Sequence, residues 1–310
     1  MIKTYLINGF LESGKTSFIN HLLEQEYFNT NERTLLLLCE EGEEEYDIDL
    51  LRKKNVYLAE IDDEEDFNPE YITKIEKEIR PNRVIVEYNG MWKRKDIKFP
   101  WYWNPPIEIA VFDATTFEMY VKNMKSFVAE QVRYAVMTIF NRCDNMVDKL
   151  PAFRRNVRAV NANMNVVFED KDGEMNPTFD EDLPYDMSAD VLEITEETYG
   201  VFYLDSMENV DRYVGKTVKL SAKILKKKEE QPNTVAIGRV VMTCCAEDLS
   251  VFGFVCDVEN GEVFSLEEWI TVSATVEKEY AEKFKIWYPV LHINSYEPCE
   301  KPQNEIIEVN

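Results

Sequence analysis

The sequence predicts two domains: an α/β domain on a mainly parallel sheet, followed by a small all-β domain of the OB-barrel type. Three observations carry this prediction. A glycine-bearing loop, Gly9-Phe-Leu-Glu-Ser-Gly-Lys-Thr16, lies between an apolar strand and a helical stretch. Apolar runs at Arg33–Cys39, Arg83–Glu87, Ile107–Asp113 and Tyr134–Phe140 alternate with helical patterns, as buried parallel strands do. Past residue 190 the pattern changes to close-set alternating strands with no long helix.

The loop itself comes first. Lys3-Thr-Tyr-Leu-Ile-Asn8 reads as a buried first strand, and Phe18, Leu22 and Leu23 recur at helical spacing after it. The loop fits G-x-x-x-x-G-K-[ST], so the α/β part is expected to be a P-loop NTPase domain, residues 1–170. Gly9 and Gly14 let the backbone bend around oxygen atoms, and Glu12, Ser13 and Ser17 line the same turn. The positive end of the following helix points at the bound anion. Lys15 is expected on the β- and γ-phosphates, and Thr16 on Mg²⁺.

Glu40–Asp49 carries seven carboxylates. It reads either as a solvated acidic loop or as a cation-binding switch segment, because hard cations such as Mg²⁺ take oxygen ligands. A strand over Asn55–Ile61 and a helix over Asn68–Arg80 follow. Arg83-Val-Ile-Val-Glu-Tyr-Asn-Gly90 then ends an apolar strand in a carboxylate, with a glycine three residues on. In a phosphate-loop enzyme Glu87 helps hold Mg²⁺ and the Gly90 N–H meets the γ-phosphate. Met91–Pro106, with Trp92, Trp101, Tyr102 and Trp103, reads as a packed loop or a protein contact surface rather than a stacking surface for nucleic acid. Thr116–Val132 is expected to be one helix. Asn141-Arg-Cys-Asp144, after a buried strand, suits guanine recognition: a carboxylate at Asp144 accepts from donors that adenine lacks, and Asn141 and Arg142 flank the base. The plainer reading makes Asp144 a helix cap.

Together these residues resemble the CobW-type (CobW/HypB/UreG-like) P-loop GTPases over roughly residues 1–170. Gly9–Thr16 is similar to that family's Gly-Phe-Leu-Gly-x-Gly-Lys-Thr, with Glu12 where glycine is usual. Cys39-Glu-Glu-Gly-Glu43 stands at its Asn-Glu-Phe-Gly-Glu switch, Glu87-Tyr-Asn-Gly90 at its Glu-Thr-Thr-Gly, and Asn141–Asp144 at its guanine motif. The resemblance implies GTP and Mg²⁺ as ligands, with Thr16, Glu40 and Glu87 near the Mg²⁺. It also implies GTP hydrolysis coupled to handling of Zn²⁺ or another transition metal. The family's Cys-x-Cys-Cys motif has no counterpart before Glu87, and Cys39 is the only thiol there.

Glu169–Asp186 is acidic and holds Gly173, Pro177 and Pro184, so residues 171–190 read as a linker. In residues 191–310, Lys216–Leu225, Trp269–Val276 and Pro289–Tyr296 are strands, and Asp205–Tyr213 a short lead-in helix. This half resembles an uncharacterised bacterial domain through Gly238-Arg-Val-Val-Met-Thr-Cys-Cys-Ala-Glu-Asp248, Gly253-Phe-x-Val and Trp269. By that analogy a permease is a conceivable partner. Cys244 and Cys245 are candidates for a transition metal. Neighbours on a strand face opposite ways, which favours one thiol in the core and one outside.

The whole chain bounds these readings. Its 310 residues, 45% hydrophobic, suffice for two cores. A net charge of −24 argues against nonspecific binding to nucleic acid or to an anionic membrane surface. No apolar run has the length of a membrane span, and no signal peptide is evident, so the expected place is the cytoplasm. Six cysteines without even spacing suit reduced thiols.

The first expectation is therefore a Mg²⁺-dependent GTPase with slow intrinsic turnover, with Lys15, Glu40, Glu41 and Glu87 as catalytic candidates. Its client would be a metalloprotein or a permease. The second is a nucleotide-gated partner-binding module with little or no turnover. The third is an ATPase, separable by competition between the two purine nucleotides.

Overall fold

The apolar runs become the spine of an eight-stranded sheet. Its strands are β1 (Lys3–Asn8), β2 (Thr34–Leu38), β3 (Val56–Glu60), β4 (Arg83–Glu87), β5 (Ile107–Asp113), β6 (Met137–Asn141), β7 (Asn165–Asp170) and β8 (Gly173–Met175), in the spatial order β3-β2-β4-β1-β5-β6-β7-β8. All pairings are parallel except β7 with β8. The computed structural model describes the chain except residues 1, 26–27, 29–31, 163, 176–182, 229–230, 244–248, 259–264, 303 and 309–310. It divides into two units, Met1–Phe179 and Asp180–Asn310.

The central strands are buried on both faces. Leu6, Leu35, Leu37, Val84 and Val86 pack into one apolar cluster, and Ile7, Leu36, Ile85 and Val111 into another. Successive residues of each strand serve opposite faces, which is why these runs are continuously apolar rather than alternating. The helices α1 (Lys15–Glu24), α2 (Ile48–Lys53), α3 (Pro69–Ile79), α4 (Ala114–Asn123), α5 (Lys125–Val132) and α6 (Leu150–Val160) connect the strands. Local chemistry sets their starts. Asn68 accepts from the Glu70 and Tyr71 amides (3.1 and 2.9 Å) with Pro69 following, and Asp47 accepts from the Asp49 and Leu50 amides (2.9 and 3.1 Å).

Two expectations change, and one about the aromatic insert holds. The helix over Thr116–Val132 is two helices, because Met124 leaves helical geometry (φ −139°, ψ 39°), and the break lets both Met124 and Phe127 pack on the same core. The acidic stretch read as a linker from residue 171 begins with β8, an antiparallel edge strand of the first sheet, so the sheet runs past the expected boundary. The aromatic insert is a packed loop. Trp103 donates to Glu76 Oε1 (2.7 Å), the Tyr102 hydroxyl donates to the same carboxylate, and Trp92 sets its edge to Tyr88. Only Trp101 stands out, 92% exposed.

The second unit holds β9 (Val191–Ile194), α7 (Tyr199–Glu208), α8 (Val210–Tyr213), β10 (Thr217–Lys228), β11 (Gln231–Met242), β12 (Leu249–Val258), β13 (Trp269–Ala281), β14 (Ile286–Pro298) and β15 (Ile306–Glu308). Strands β10 to β14 close into a barrel in the order β10-β11-β12-β14-β13-β10, with β12 and β14 parallel and the other pairs antiparallel. That is the five-stranded OB arrangement. Val218, Leu220, Ala222 and Ile224 face its interior as their alternation predicts. The helical lead-in begins earlier than expected, at Tyr199, because Phe202 and Tyr203 pack on Phe254 and Phe252 of the barrel. Four of the residues that marked this half in sequence, Gly238, Arg239, Gly253 and Trp269, have packing roles. Gly238 and Gly253 are paired across β11 and β12, where side chains would meet Leu225, and the buried Arg239 guanidinium lies over the Trp269 ring at 4.8 Å. No helix among the described residues is long and apolar enough to cross a membrane.

Candidate functional site

The glycine-bearing loop joins β1 to α1 at the carboxyl ends of the parallel strands, the edge where open α/β sheets bind ligands. Gly14 is the N-cap of α1, in the left-handed region (φ 94°) with no side-chain cap, so the first amides of the helix are open to an anion. A Cβ at Gly14 would come within 2.5 Å of Asn141 Nδ2, and a Cβ at Gly90 would collide with the Gly9 carbonyl oxygen. These glycines are therefore required by close approach of three segments: the loop, the end of β4 and the end of β6. Glu12 is left-handed as well (φ 60°), a conformation that costs a side-chain-bearing residue about 1–2 kcal/mol. Its carboxylate offsets this by accepting from the Glu43 amide at 2.7 Å.

Lys15 is buried. Its Nζ donates to the carbonyl oxygens of Gly9 (3.0 Å) and Phe10 (2.9 Å) and to Glu40 Oε2 (2.6 Å). Thr16 Oγ1 donates to Glu87 Oε1 at 2.8 Å, and the Tyr46 hydroxyl donates to the other Glu87 oxygen. Burial pushes the Glu87 carboxyl above the usual carboxylate range, against the pull of those two hydroxyls and of Lys15. Burial, with Glu87 and Glu40 nearby, also pushes the Cys39 thiol up. The Ser17 hydroxyl donates to Glu44. Gly90 is held by Gln131, whose Nε2 donates to its carbonyl oxygen at 3.0 Å. Ser13 Oγ and Asn141 Oδ1 are buried without a hydrogen-bond partner.

On the other side of the loop, Asn141 Nδ2 donates to the Ser13 carbonyl oxygen (2.7 Å). Arg142, left-handed at φ 56°, reaches the Glu12 carbonyl oxygen at 3.1 Å and pairs with Asp113. Burial raises the Asp113 carboxyl, but hydrogen bonds from Thr115 and Arg142 outweigh it and hold the group below its usual value. Asp144 is exposed and accepts from the Lys171 amide at 3.3 Å.

The predicted residues thus fall into two groups. Glu12, Ser13, Gly14, Lys15, Thr16, Ser17, Glu40, Glu87, Asn141 and Arg142 are linked by direct contacts around the loop, with Gly9 and Gly90 packed against each other. Glu41 and Asp144 stand apart from that network: Glu41 borders an adjoining hollow of about 280 Å³ with Glu44, Glu45 and Glu60. Glu40, expected near Mg²⁺, pairs with Lys15 at 2.6 Å. Cys244 and Cys245 lie outside the described residues. Among the described residues, no group of three or more His, Cys, Asp or Glu is placed to hold a metal ion. Sequence reasoning missed Tyr46, Glu44, Asp113 and Gln131. Tyr46 had a faint signal, the single aromatic closing an acidic run, whereas Gln131 had none.

A glycine turn with an uncapped helix start, a buried lysine, and a threonine joined to a strand-end carboxylate define a phosphate-loop nucleotide-binding domain. The chain belongs to the CobW/HypB/UreG nucleotide-binding domain family, whose model matches residues 3–168. Residues 170–307 match the DUF1980 C-terminal domain. Among solved structures, the hydrogenase maturation factor HypB from Archaeoglobus fulgidus is 15% identical, with a TM-score of 0.43, over 56% of this chain and 84% of that one. A Zn(II)-bound triple mutant of the YjiA GTPase is 15% identical, with a TM-score of 0.41, over 82% of this chain and 88% of that one. A small single-stranded DNA binding protein from Mycoplasma pneumoniae is 17% identical, with a TM-score of 0.19, over 29% and 97%. No curated protein sequence matches the chain.

Proposed function

We propose that this chain is a Mg²⁺-dependent GTPase of the CobW type, acting in the cytoplasm in metal homeostasis. The observation that carries the reading is the joining of Lys15, Thr16, Glu87 and Gly90 around one uncapped helix start. The residues present fit a nucleotide. Glycines stand where side chains would fill the cradle, and buried polar atoms at Ser13 and Asn141 lack partners. The amides at the start of α1 and the Lys15 ammonium would bind the phosphates, with Thr16 and Glu87 holding Mg²⁺, which supplies charge neutralisation at the β- and γ-oxygens when bound. Gly90, braced by Gln131, would present its N–H to the terminal phosphate. Asn141 ties the base-reading segment to the loop, Arg142 would lie along the base, and Asp144 would accept from the guanine donors. Catalysis in such a site is mainly positioning and charge stabilisation.

A second reading is a nucleotide-gated binding module with little turnover, its OB-type barrel docking a metalloprotein or a permease. It is favoured by one feature: the carboxylates nearest the loop are engaged within the protein, Glu40 by Lys15 and Glu87 by two hydroxyls. Single-turnover hydrolysis of GTP, with and without Zn²⁺, separates the two. The enzyme reading expects cleavage well above a Lys15→Met control. Cleavage equal to the control, with GTP still bound by the unaltered protein, leaves the module.

A further inference from the structure

Among the described residues, four hydrogen bonds join the segment Glu40–Tyr46 to the phosphate loop, to Ser17 in the first turn of α1 and to Glu87, and the Tyr46 ring also packs in the apolar cluster of Ile7, Leu36 and Ile85. Glu40 takes Lys15, Glu44 takes the Ser17 hydroxyl, the Glu43 amide takes Glu12, and the Tyr46 hydroxyl takes Glu87. An ammonium has three N–H donors, and Lys15 has spent all three: two on loop carbonyls and one on the Glu40 carboxylate. The two carbonyls belong to the loop itself. The acceptor that a phosphate oxygen would replace, charge for charge, is Glu40.

Space leads to the same result. The cavity left at the mouth, between Leu11, Gly14, Lys15, Glu40, Gly42 and Arg142, measures about 30 Å³. That holds a water or two, and the larger hollow of about 280 Å³ lies beyond Glu40, Gly42 and Glu44, which border both spaces. A triphosphate tail needs several times the smaller volume, and nucleotide-sized ligands generally fill on the order of 300 Å³ or more. The pair that closes the mouth is itself dry, with the Lys15 and Glu40 side chains 3% and 10% exposed, so it resists solvent and salt.

We infer that Glu40–Tyr46 is an intramolecular occupant of the phosphate site, in which Glu40 stands in for a phosphate oxygen on Lys15 while Tyr46 holds Glu87. Nucleotide binds by exchange with this segment, and the apparent affinity is reduced by the fraction of molecules in which the segment is closed. Tyr46 is a positioning residue: it touches neither phosphate nor base, and acts by latching the segment onto Glu87. Glu12 serves the same closure from the loop side, trading a strained backbone for a hold on the Glu43 amide.

This inference rests on the nucleotide reading above, and the experiment keeps the two apart. Calorimetric titration with a non-hydrolysable GTP analogue, with Mg²⁺ and again in EDTA, compares the unaltered protein with Glu40→Gln, Tyr46→Phe and Glu45→Gln. Glu45→Gln removes the same unit of charge from an adjoining carboxylate that makes none of these contacts. The expected result in EDTA is at least about fivefold tighter binding by Glu40→Gln and by Tyr46→Phe, with Glu45→Gln within about twofold of the unaltered protein. Tyr46→Phe keeps the buried ring and serves if Glu40→Gln folds poorly. Equal tightening by Glu45→Gln would reduce the effect to bulk repulsion and overturn the inference, as would binding by the unaltered protein that neither variant improves. Heat from Glu40→Gln alone would support it most directly. No heat from any of the four proteins would overturn the nucleotide reading, and this inference with it.

Discussion

The two sides of the cradle are built differently. On the phosphate side, Lys15, Thr16 and Glu87 are buried, and each is held at a fixed distance by partners on other elements. On the side proposed to face the base, Arg142 and Asp144 are exposed, and Asp144 accepts from the Lys171 backbone amide. On the exchange proposed above, once Glu40 leaves Lys15 the buried donors meet an anion with little further reorganisation and little competition from water. An exposed carboxylate discriminates less, since water satisfies it whether or not the correct base arrives. On the proposed nucleotide reading, the contrast would assign affinity to the Lys15 side and a more modest selectivity to the Asp144 side.

The sharpest way to break that contrast is at Glu87. Glu87→Gln keeps the shape but removes the buried charge. The Mg²⁺ requirement measured in nucleotide titrations should weaken by about 10–100-fold, the size usual when a carboxylate supporting a metal is lost. Because burial already raises this carboxyl, the variant should also melt at a higher temperature near neutral pH in the absence of nucleotide. A lower melting temperature would mean that the two hydroxyl donors outweigh the cost of burying the charge.

On the base side the effect is smaller. Asp144→Asn should reduce the preference for GTP over ATP by about tenfold in competition binding, in keeping with loss of hydrogen bonds to one charged group. An unchanged ratio would place base recognition elsewhere. Smallest is Asp113→Asn, which leaves the helix cap in place but unpairs Arg142. The Asp113 carboxyl is held below its usual value, so its contribution to stability is present above the unfolded-state value near 3.8 and fades as pH falls through the lowered one. Denaturant melts should show a loss of under about 1 kcal/mol at pH 7 that narrows below about pH 4. A gap that widens in acid would reverse the sign of the pairing.

Much of this molecule could be read from local pattern. Gly9–Thr16, the apolar runs of β2, β4 and β5, and the alternation of Val218, Leu220, Ala222 and Ile224 state their structures through period and turn chemistry, which need only neighbours in the chain. The break at Met124 could not be read, because two residues at ordinary helical positions had to reach one core. Nor could β8, which exists only because β7 offers an edge. In the site, the loop residues were legible because the motif is contiguous. Tyr46, Glu44 and Asp113 were not, since each acts on a partner 27 to 41 residues away.

By itself the sequence determined which groups are available: a loop able to surround phosphates, a threonine and a carboxylate suited to Mg²⁺, an acidic run, and an alternating barrel. Those follow from residue type and spacing, which act over a few bonds. Tertiary structure decided how the groups are spent. It set Glu40 against Lys15, gave Glu87 a second hydroxyl from Tyr46, and placed Glu40, Gly42 and Glu44 between a cavity of about 30 Å³ at the loop and the larger hollow beside it. Charges and donors pair by distance in space, and folding alone sets that distance.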